Sequence, residues 1–137
     1  MNSSSGQTGA VANVDIARLE KLVVRMQESL PGLLATDIWI AETGVSIAAI
    51  NGQPVATKLF NTLTTDLSDA LATSGFPVIN RYYLLELEGD LASLVIRHGD
   101  DLRQGVLFDT RYTNIGTMLA LGLPMAQRGV EEARTAD

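Results

Sequence analysis

Apolar residues recur at helical spacing near the start of the chain. Across Ile16–Leu30 they fall at every third or fourth position, which is the stripe of an amphipathic helix. Asn13 or Asp15 is placed to cap the first turn. The Pro31-Gly32 pair ends the helix, because the residue before a proline avoids helical torsions and glycine permits a turn. The pattern predicts a first helix from about residue 15 to residue 30.

An alternating pattern follows, which predicts a hairpin of two strands. Within Asp37–Glu42, Ile38 and Ile40 point to one side while Trp39 points to the other, the period of a strand. Thr43-Gly44 supplies the turn, and Val45–Ile50 is rich in β-branched residues and alanine. Trp39, opposite the two isoleucines, is expected either beneath a helix or at a contact surface.

A second helix is predicted after a tight turn. Asn51-Gly52 is a strong turn signal because both residues tolerate positive φ, and a short extended Pro54–Ala56 stretch then leads to Thr57 as the helix cap. The helix stops near Gly75, which can take the left-handed position, and Pro77 prevents its resumption. Its apolar stripe consists of Phe60, Leu63, Leu67 and Leu71.

The second half of the chain predicts three strands and a final helix. The strands cover about Asn80–Glu88, Leu91–His98 and Leu102–Asp109, with short turns rich in Gly and Asp between them. The last helix begins after Thr113 or Asn114, and Gly122 with Pro124 should kink or break it because proline lacks a backbone donor.

The predicted element order is α-β-β-α-β-β-β-α. Short connections force neighbouring strands to run antiparallel, and the middle helix must cross one face of the sheet. The sequence therefore predicts an α+β fold, a five-stranded antiparallel sheet with helices on its faces. We expect a single domain over residues 13–130, a disordered tail over residues 1–12 because that stretch is small and polar, and fraying over residues 131–137.

Composition narrows the classes of function. The chain of 137 residues has 10 Lys and Arg against 16 Asp and Glu, a formal charge of −6, which disfavours nucleic acid or an anionic membrane as the main partner. There is no cysteine, so thiolate catalysis and thiolate metal ligands are excluded, and a reducing cytoplasm is compatible. The start does not read as a secretory signal, and no apolar run reaches the roughly 20 residues of a membrane span.

Candidate chemistry is sparse. The single histidine, His98, is expected in a solvated turn beside Asp100 and Asp101 rather than at a metal or acid/base site. Glu86 and Glu88 share a strand face, but Tyr82 and Leu84 beside them favour a solvated or interface-rim role. No nucleophile elbow, dinucleotide fingerprint or phosphate-binding loop is present, so we predict no catalytic residue, cofactor or metal.

Two surface features suggest contacts with other proteins. Arg18, Lys21 and Arg25 form a basic stripe on the first helix, for which a solvated outer face is the simpler explanation. The second helix carries more apolar surface than one sheet face needs, since Leu59, Ala70 and Ala72 lie beyond its main stripe. Self-association is a natural use for that surplus.

Two stretches carry a resemblance to a known family. Gly44–Phe60, with the sequence GVSIAAINGQPVATKLF, and the start of the last helix, YTNIGTMLA with its Asn114-Ile115-Gly116 triplet, resemble the roadblock/dynein light-chain family. The resemblance runs from about Ile16 to Ala120 and includes the element order. Gly122 and Pro124 in the last helix depart from the family pattern.

The resemblance implies a non-enzymatic module of profilin-like architecture. Domains of this family typically dimerise by joining the edge strand that follows the middle helix and by packing the two middle helices together. They act as scaffolds or regulators of Ras-like small GTPases and also serve motor complexes. On this sequence the resemblance implies a homodimer, with a small P-loop GTPase as its partner, and an interface made by Leu63, Leu67, Leu71, Tyr82 and Leu84.

Two other functional classes remain open from the sequence. A PAS-like small-molecule sensor also builds a five-stranded antiparallel sheet, and it would need a cavity of roughly several hundred Å³ with a few convergent polar groups. The alanines of the second strand, Ala48 and Ala49, argue instead for tight cover. A small enzyme is the third class, and the poverty of titratable clusters argues against it.

Overall fold

The computed structural model describes residues 13–135. Helix α1 spans Ile16–Ser29 and helix α2 spans Pro54–Thr73. The last helical segment has three parts, which are α3 (Ile115–Thr117), a π-helical turn (Met118–Gly122) and α4 (Leu123–Thr135). The strands are β1, Leu33–Ile40, β2, Ser46–Ile50, β3, Tyr82–Leu87, β4, Leu91–His98, and β5, Leu102–Asp109. The predicted tail lies outside the described residues.

The five strands form one antiparallel sheet in the order β2-β1-β5-β4-β3. The central strand β5 pairs with β1 on one side and with β4 on the other, so β2 and β3 are the two edges. The predicted α+β fold, with an antiparallel five-stranded sheet between helices, is confirmed.

The main hydrophobic core lies between one face of the sheet and the pair α1 and α4. The apolar stripe predicted for the first helix is buried there, and Asp15 accepts a hydrogen bond from the Arg18 N–H as the N-cap. The largest fully buried apolar side chains of this core are Leu19, Leu22, Met26, Leu30, Ile38, Leu94, Ile96, Leu102, Phe108 and Met118. Helices α1 and α4 both lie on this face of the sheet. Within residues 13–135, α2 is the helix that covers the opposite face.

Several element boundaries differ from the sequence prediction. Strand β1 begins at Leu33 rather than Asp37, and α2 begins at Pro54 rather than Thr57. Proline is favoured in the first turn of a helix because the N–H it lacks would have no partner there. Thr57 is therefore not the cap. Ala49 is exposed although Ala48 is buried, so the tight cover expected of both alanines holds for only one of them.

Pro124 widens the last helix instead of breaking it. Without an N–H, Pro124 cannot bond the carbonyl of residue 120, and the Leu123 N–H reaches back five residues to the Met118 carbonyl, a π-helical bond. The helix then continues to Thr135, past the predicted point of fraying. Ala133 is buried and Arg134 pairs with Asp101, so tertiary contacts hold this end of the helix.

Candidate partner interface

Strand β3 presents an open backbone edge. It pairs with β4 in a register that places Tyr82 opposite Ile96, and the Arg97 N–H donates to the Arg81 carbonyl at 2.7 Å. Successive residues of a strand direct their N–H and C=O groups to opposite sides. Residues 81, 83, 85 and 87 therefore bond β4, while Tyr82, Leu84 and Glu86 direct their backbone groups to the free edge. Such an edge is a template for another strand.

The predicted interface residues fall into two groups on opposite faces of the sheet. Leu63, Leu67 and Leu71 lie on α2 and are half-buried. Leu84 packs against the main core on the α1 side, and Tyr82, by alternation, lies on that same side with 40% of its surface exposed. The structure thus places the two groups on opposite faces of the sheet and does not bring their side chains together.

The side of β3 that faces α2 carries different residues. The Tyr83 hydroxyl shares a hydrogen bond of 2.7 Å with the Thr64 hydroxyl of α2, which fixes the orientation of the strand. By alternation Leu85 and Leu87 follow Tyr83 on this face, half-buried and exposed respectively. The predicted interface did not include these residues. Strand alternation separates Tyr82 and Leu84 from Tyr83, Leu85 and Leu87, but nothing in the sequence shows which of these two sets of side chains faces α2.

A buried carboxylate holds the start of α2 on the sheet. Asp37 accepts one hydrogen bond at each oxygen, from the Ser46 hydroxyl at 2.6 Å and from the Thr57 hydroxyl at 2.7 Å. Thr57 is buried, and its hydroxyl also lies 3.3 Å from the Gln53 carbonyl. The carboxylate lies beside the first turn of α2, where the helix dipole favours negative charge. Asp37 therefore positions α2 by polar contacts.

A second polar cluster holds the middle of α2. Asn61 accepts a hydrogen bond from the Trp39 indole N–H at 2.8 Å and donates one to the Ala41 carbonyl at 3.1 Å. Arg103 of β5 donates to the Asn61 side chain and to the Thr65 hydroxyl, each at 2.9 Å. Burial lowers the pKa of Arg103. Trp39 is fully buried, so of the two places expected for it, the one beneath a helix is correct.

Polar anchoring leaves the apolar side of α2 incompletely covered. Only Lys58, Asp66 and Asp69 are charged among its 20 residues, which is few for a helix that faces water. Of the eleven exposed large hydrophobic residues in the described chain, six lie between Pro54 and Leu87. These six are Val55, Leu59, Phe76, Val78, Tyr82 and Leu87. Exposed apolar residues are therefore concentrated in α2, the segment after it and β3, although Tyr82 and Leu87 lie on opposite faces of the sheet.

A small cavity lies between the start of α2 and the centre of the sheet. Its volume is about 110 Å³, and its wall includes Ala56 and Phe60 of α2, Trp39 of β1, and Gly105 and Leu107 of β5. The wall is predominantly apolar. On the other flank of α2 a wider cleft of about 650 Å³ opens beside β2, with Lys58 and Thr62 among its lining residues.

His98 is buried, contrary to the solvated turn that the sequence predicted. It is 6% exposed, and its Nε2 lies 2.8 Å from the Gln104 side-chain oxygen in the core beneath α1. Burial lowers the pKa of His98 to about 4, although the hydrogen bond to Gln104 acts in the opposite direction. Gln104 in turn donates to the Thr36 hydroxyl at 2.9 Å, so the imidazole belongs to a satisfied structural network.

The buried imidazole predicts an acid-dependent loss of stability. Between the ordinary histidine pKa of 6.5 and the lowered pKa of about 4, the His98 imidazole is protonated in the unfolded chain but neutral in the folded protein. The free energy of unfolding should therefore fall by about 3 kcal/mol as the pH drops through this window, and this contribution is fully present above it. Urea denaturation at pH 7.5 and pH 4.5 measures the loss. His98→Gln should remove most of the slope, and an equal slope in both proteins would contradict the assignment.

The remaining polar candidates lie at the surface. Glu86 is exposed on β3 and Glu88 lies in the following turn, while Arg18, Lys21 and Arg25 are exposed on α1. Among residues 13–135 no three His, Cys, Asp or Glu side chains come together in a way that could hold a metal ion. None of the helices in that range combines the length and apolar character needed to cross a membrane.

Comparison with known proteins identifies the fold but no close relative. No family model matches the sequence, and no curated protein matches it either. Among solved structures, MglB of Myxococcus xanthus is 10% identical with a TM-score of 0.70, over 90% of this chain and 94% of that one. An MglB described with a tetrameric arrangement is 13% identical, with a TM-score of 0.70 over 87% and 92%.

A third structure connects the architecture to a named domain. The Roadblock/LC7 domain from Streptomyces avermitilis is 14% identical, with a TM-score of 0.62 over 84% of this chain and 93% of that one. The match covers most of both chains. The chain therefore has the fold of the roadblock family.

Proposed function

We propose that this chain is a non-enzymatic scaffold that forms a homodimer through the β3 edge and α2, and that the dimer binds and regulates a Ras-like small GTPase in the cytoplasm. The observation that carries the proposal is the juxtaposition of an unpaired strand edge with a helix whose apolar stripe is only half-buried. Roadblock architecture supports it, since domains of this kind typically dimerise and serve small GTPases.

The geometry of α2 suits a second copy. The helix starts over β1 at Asp37, and its last hydrogen bonds to the sheet are made by Thr64 and Thr65, to β3 and β5. The eight residues after Thr65 extend the helix by about 12 Å at 1.5 Å per residue. This length exceeds two strand spacings of about 4.8 Å, so the end of α2 is long enough to extend past the β3 edge. In a twofold dimer it would lie over the partner's sheet.

The twofold arrangement of the proposed dimer would also cover apolar surface on each copy. The α2 face of the sheet leaves Leu85 and Leu107 half-buried and Leu87 39% exposed. The partner's α2 would lie antiparallel to this copy's α2 and over these residues. Burying one such side chain stabilises by about 1.5 to 3 kcal/mol, so a few of them offset the cost of association. A dimer of this form should bury roughly 1,200 to 2,000 Å².

Proline at the free edge tests the strand pairing. Because Tyr82 and Glu86 direct their N–H groups outward, proline at either position removes no bond to β4, and edge strands tolerate proline with its nitrogen facing outward. Whichever residue of β3 lies on the twofold axis, at least one of these positions faces the partner strand. We expect Tyr82→Pro or Glu86→Pro to weaken dimerisation at least tenfold, because the twofold axis makes each substitution remove a hydrogen bond between the strands in both copies.

Sedimentation velocity over a dilution series measures the dimer dissociation constant. Tyr82→Ala and Glu86→Ala are the matched controls, since they change the same side chains but keep the N–H groups. If both proline variants dimerise as tightly as the alanine controls, β3 is not the pairing edge.

Binding to a GTPase is tested with purified partners. Each Ras-like small GTPase encoded in the same genome would be loaded with fluorescent GDP or a fluorescent non-hydrolysable GTP analogue and titrated with this protein. We expect saturable binding to at least one of them, with an affinity that depends on the nucleotide. Failure of every such GTPase to bind, with a protein shown to be folded and dimeric, would contradict the proposed partner.

The sensor alternative finds little support in the shape of the molecule. The cavity between α2 and the sheet holds about 110 Å³, well below the several hundred Å³ that a small-molecule site of this kind needs. In the larger cleft beside β2, the buried Asp37 and the half-buried Asn61 are already engaged in hydrogen bonds with the protein.

A further inference from the structure

An exposed aromatic residue follows the end of α2. The Phe76 N–H bonds the Leu71 carbonyl five residues back, and Gly75 adopts a positive φ of 79°, which together form a Schellman cap. The apolar residue at this position of the cap usually packs against the last turn of its own helix. Phe76 instead leaves 65% of its surface exposed. The cap fixes the position of the ring without covering it.

The small cavity at the other end of α2 matches a phenyl ring in size and chemistry. An engineered apolar cavity of about 150 Å³ accommodates benzene, so a cavity of about 110 Å³ that opens on one side can admit most of a phenyl ring. Gly105 forms part of its wall, where an added Cβ would lie 3.4 Å from the Trp39 ring. Asp37, the one carboxylate at its margin, has both oxygens hydrogen-bonded to hydroxyls.

The proposed dimer brings these two features together. Antiparallel α2 helices place the end of one helix beside the start of the other. The partner's α2 continues for about 12 Å beyond Thr65, and the cavity lies over β1 and β5, two to three strand spacings of about 4.8 Å from β3. Pairing of the two β3 strands adds one spacing, so the distance from the partner's β3 to the cavity is about 14 to 19 Å. The helix is long enough to cover most of that distance, and the three residues up to Phe76 together with the Phe76 side chain are long enough to cover the rest.

We infer that Phe76 of each copy inserts its ring into the cavity of the other copy, between α2 and the sheet. This inference rests on the proposed homodimer. The ring and the cavity form a reciprocal pair of apolar contacts, so the cavity is completed only by the second copy. A residue that follows a rigid helix cap is already positioned, which lowers the entropy lost on binding.

Engineered cysteines test the contact directly because the chain has none of its own. Phe76→Cys protein is mixed with Ala56→Cys protein and treated with a short bismaleimide, so that only contacts between copies yield the mixed product. Val55→Cys is the matched control, since Val55 is the neighbouring residue of α2, is 81% exposed and does not line the cavity. We expect rapid cross-linking of the pair 56 and 76, and at least tenfold slower cross-linking of the pair 55 and 76.

Truncation of the ring gives a second measurement. Phe76→Ala should raise the dimer dissociation constant at least about 100-fold, because the twofold axis removes two buried rings at once. Leu121→Ala is the control, since Leu121 is 58% exposed on the opposite side of the molecule, and it should leave the constant unchanged.

The outcomes separate this inference from the proposed function. A dimer with selective cross-linking and a weakened Phe76→Ala variant supports the inference. A stable dimer that shows neither effect overturns it while the dimer itself stands. A wild-type protein that is monomeric at all concentrations overturns both.

Discussion

Replacing Leu67 with Glu should convert the proposed dimer into a folded monomer. Leu67 lies in the half-buried stripe of α2, where the second copy would cover it. A carboxylate there would lose hydration without gaining a partner, at a cost of several kcal/mol in each copy. Because the twofold axis buries this carboxylate in both copies, we expect the dimer dissociation constant to rise at least about 1,000-fold.

Sedimentation velocity measures the change in mass, and far-ultraviolet circular dichroism shows whether the variant is folded. Val24→Glu is the matched control, because Val24 is a 41% exposed residue of α1 on the other side of the sheet. It introduces the same charge and should leave the dimer intact. A Leu67→Glu protein that is folded and still dimeric would show that this stripe does not form the interface.

Removal of the Asp37 carboxylate should have the largest effect on α2 itself. Asp37→Ala deletes both hydrogen bonds that hold Ser46 and Thr57, and it leaves the buried Thr57 hydroxyl with only the Gln53 carbonyl at 3.3 Å. Hydrogen bonds to a charged group contribute about 1.5 to 3 kcal/mol. We expect the free energy of unfolding to fall by about 3 kcal/mol, because Ser46 is exposed and loses less.

Urea denaturation of the Leu67→Glu background measures this loss without the contribution of the dimer. Asp37→Asn keeps one acceptor oxygen, so it should lose about half as much as Asp37→Ala. Amide exchange in the first turn of α2 should accelerate in Asp37→Ala more than exchange in α1. Equal stability of the alanine variant and the unmutated background would mean that the carboxylate does not hold the helix.

Local periodicity was enough to predict most of the architecture. The apolar stripe of Ile16–Leu30 and the turns at Thr43-Gly44 and Asn51-Gly52 depend on short-range rules, and the elements they predicted are present. The Asn114 cap of the last helix follows the same logic, since its side chain accepts from the Thr117 N–H at 2.7 Å. The fold class followed from the element order together with the short connections.

The wrong predictions concern residues whose surroundings are set by packing between elements. Thr57 looked like a cap, but its hydroxyl bonds Asp37, which lies 20 positions earlier. His98 looked solvated because its neighbours in sequence are acidic turn residues, yet the fold places it against Gln104 beneath α1. The π-helical turn before Pro124 required knowing that packing holds the helix on both sides of the proline.

The interface remains a prediction, and the sequence indicated only some of the features on which it rests. The surplus of apolar residues on α2 was visible in the sequence, as was the strand that follows it. Which face of that strand α2 covers depends on the pairing of β3 with β4, and the bond between Thr64 and Tyr83 settles it. The contact proposed for Phe76 had no sequence signal, because it depends on a helix cap and on a cavity that α2 and the turn before it form with β1, β4 and β5.

Amide hydrogen exchange at Leu84 is the most direct test of the proposed dimer. The Leu84 N–H points away from β4 and has no partner among residues 13–135, so in a monomer it should exchange nearly as fast as an unstructured amide. If β3 pairs with its counterpart in the proposed dimer, this amide should be strongly protected at high protein concentration and should lose that protection in Leu67→Glu. Fast exchange at Leu84 in a concentrated, folded sample, with its neighbour Leu85 protected, would contradict it.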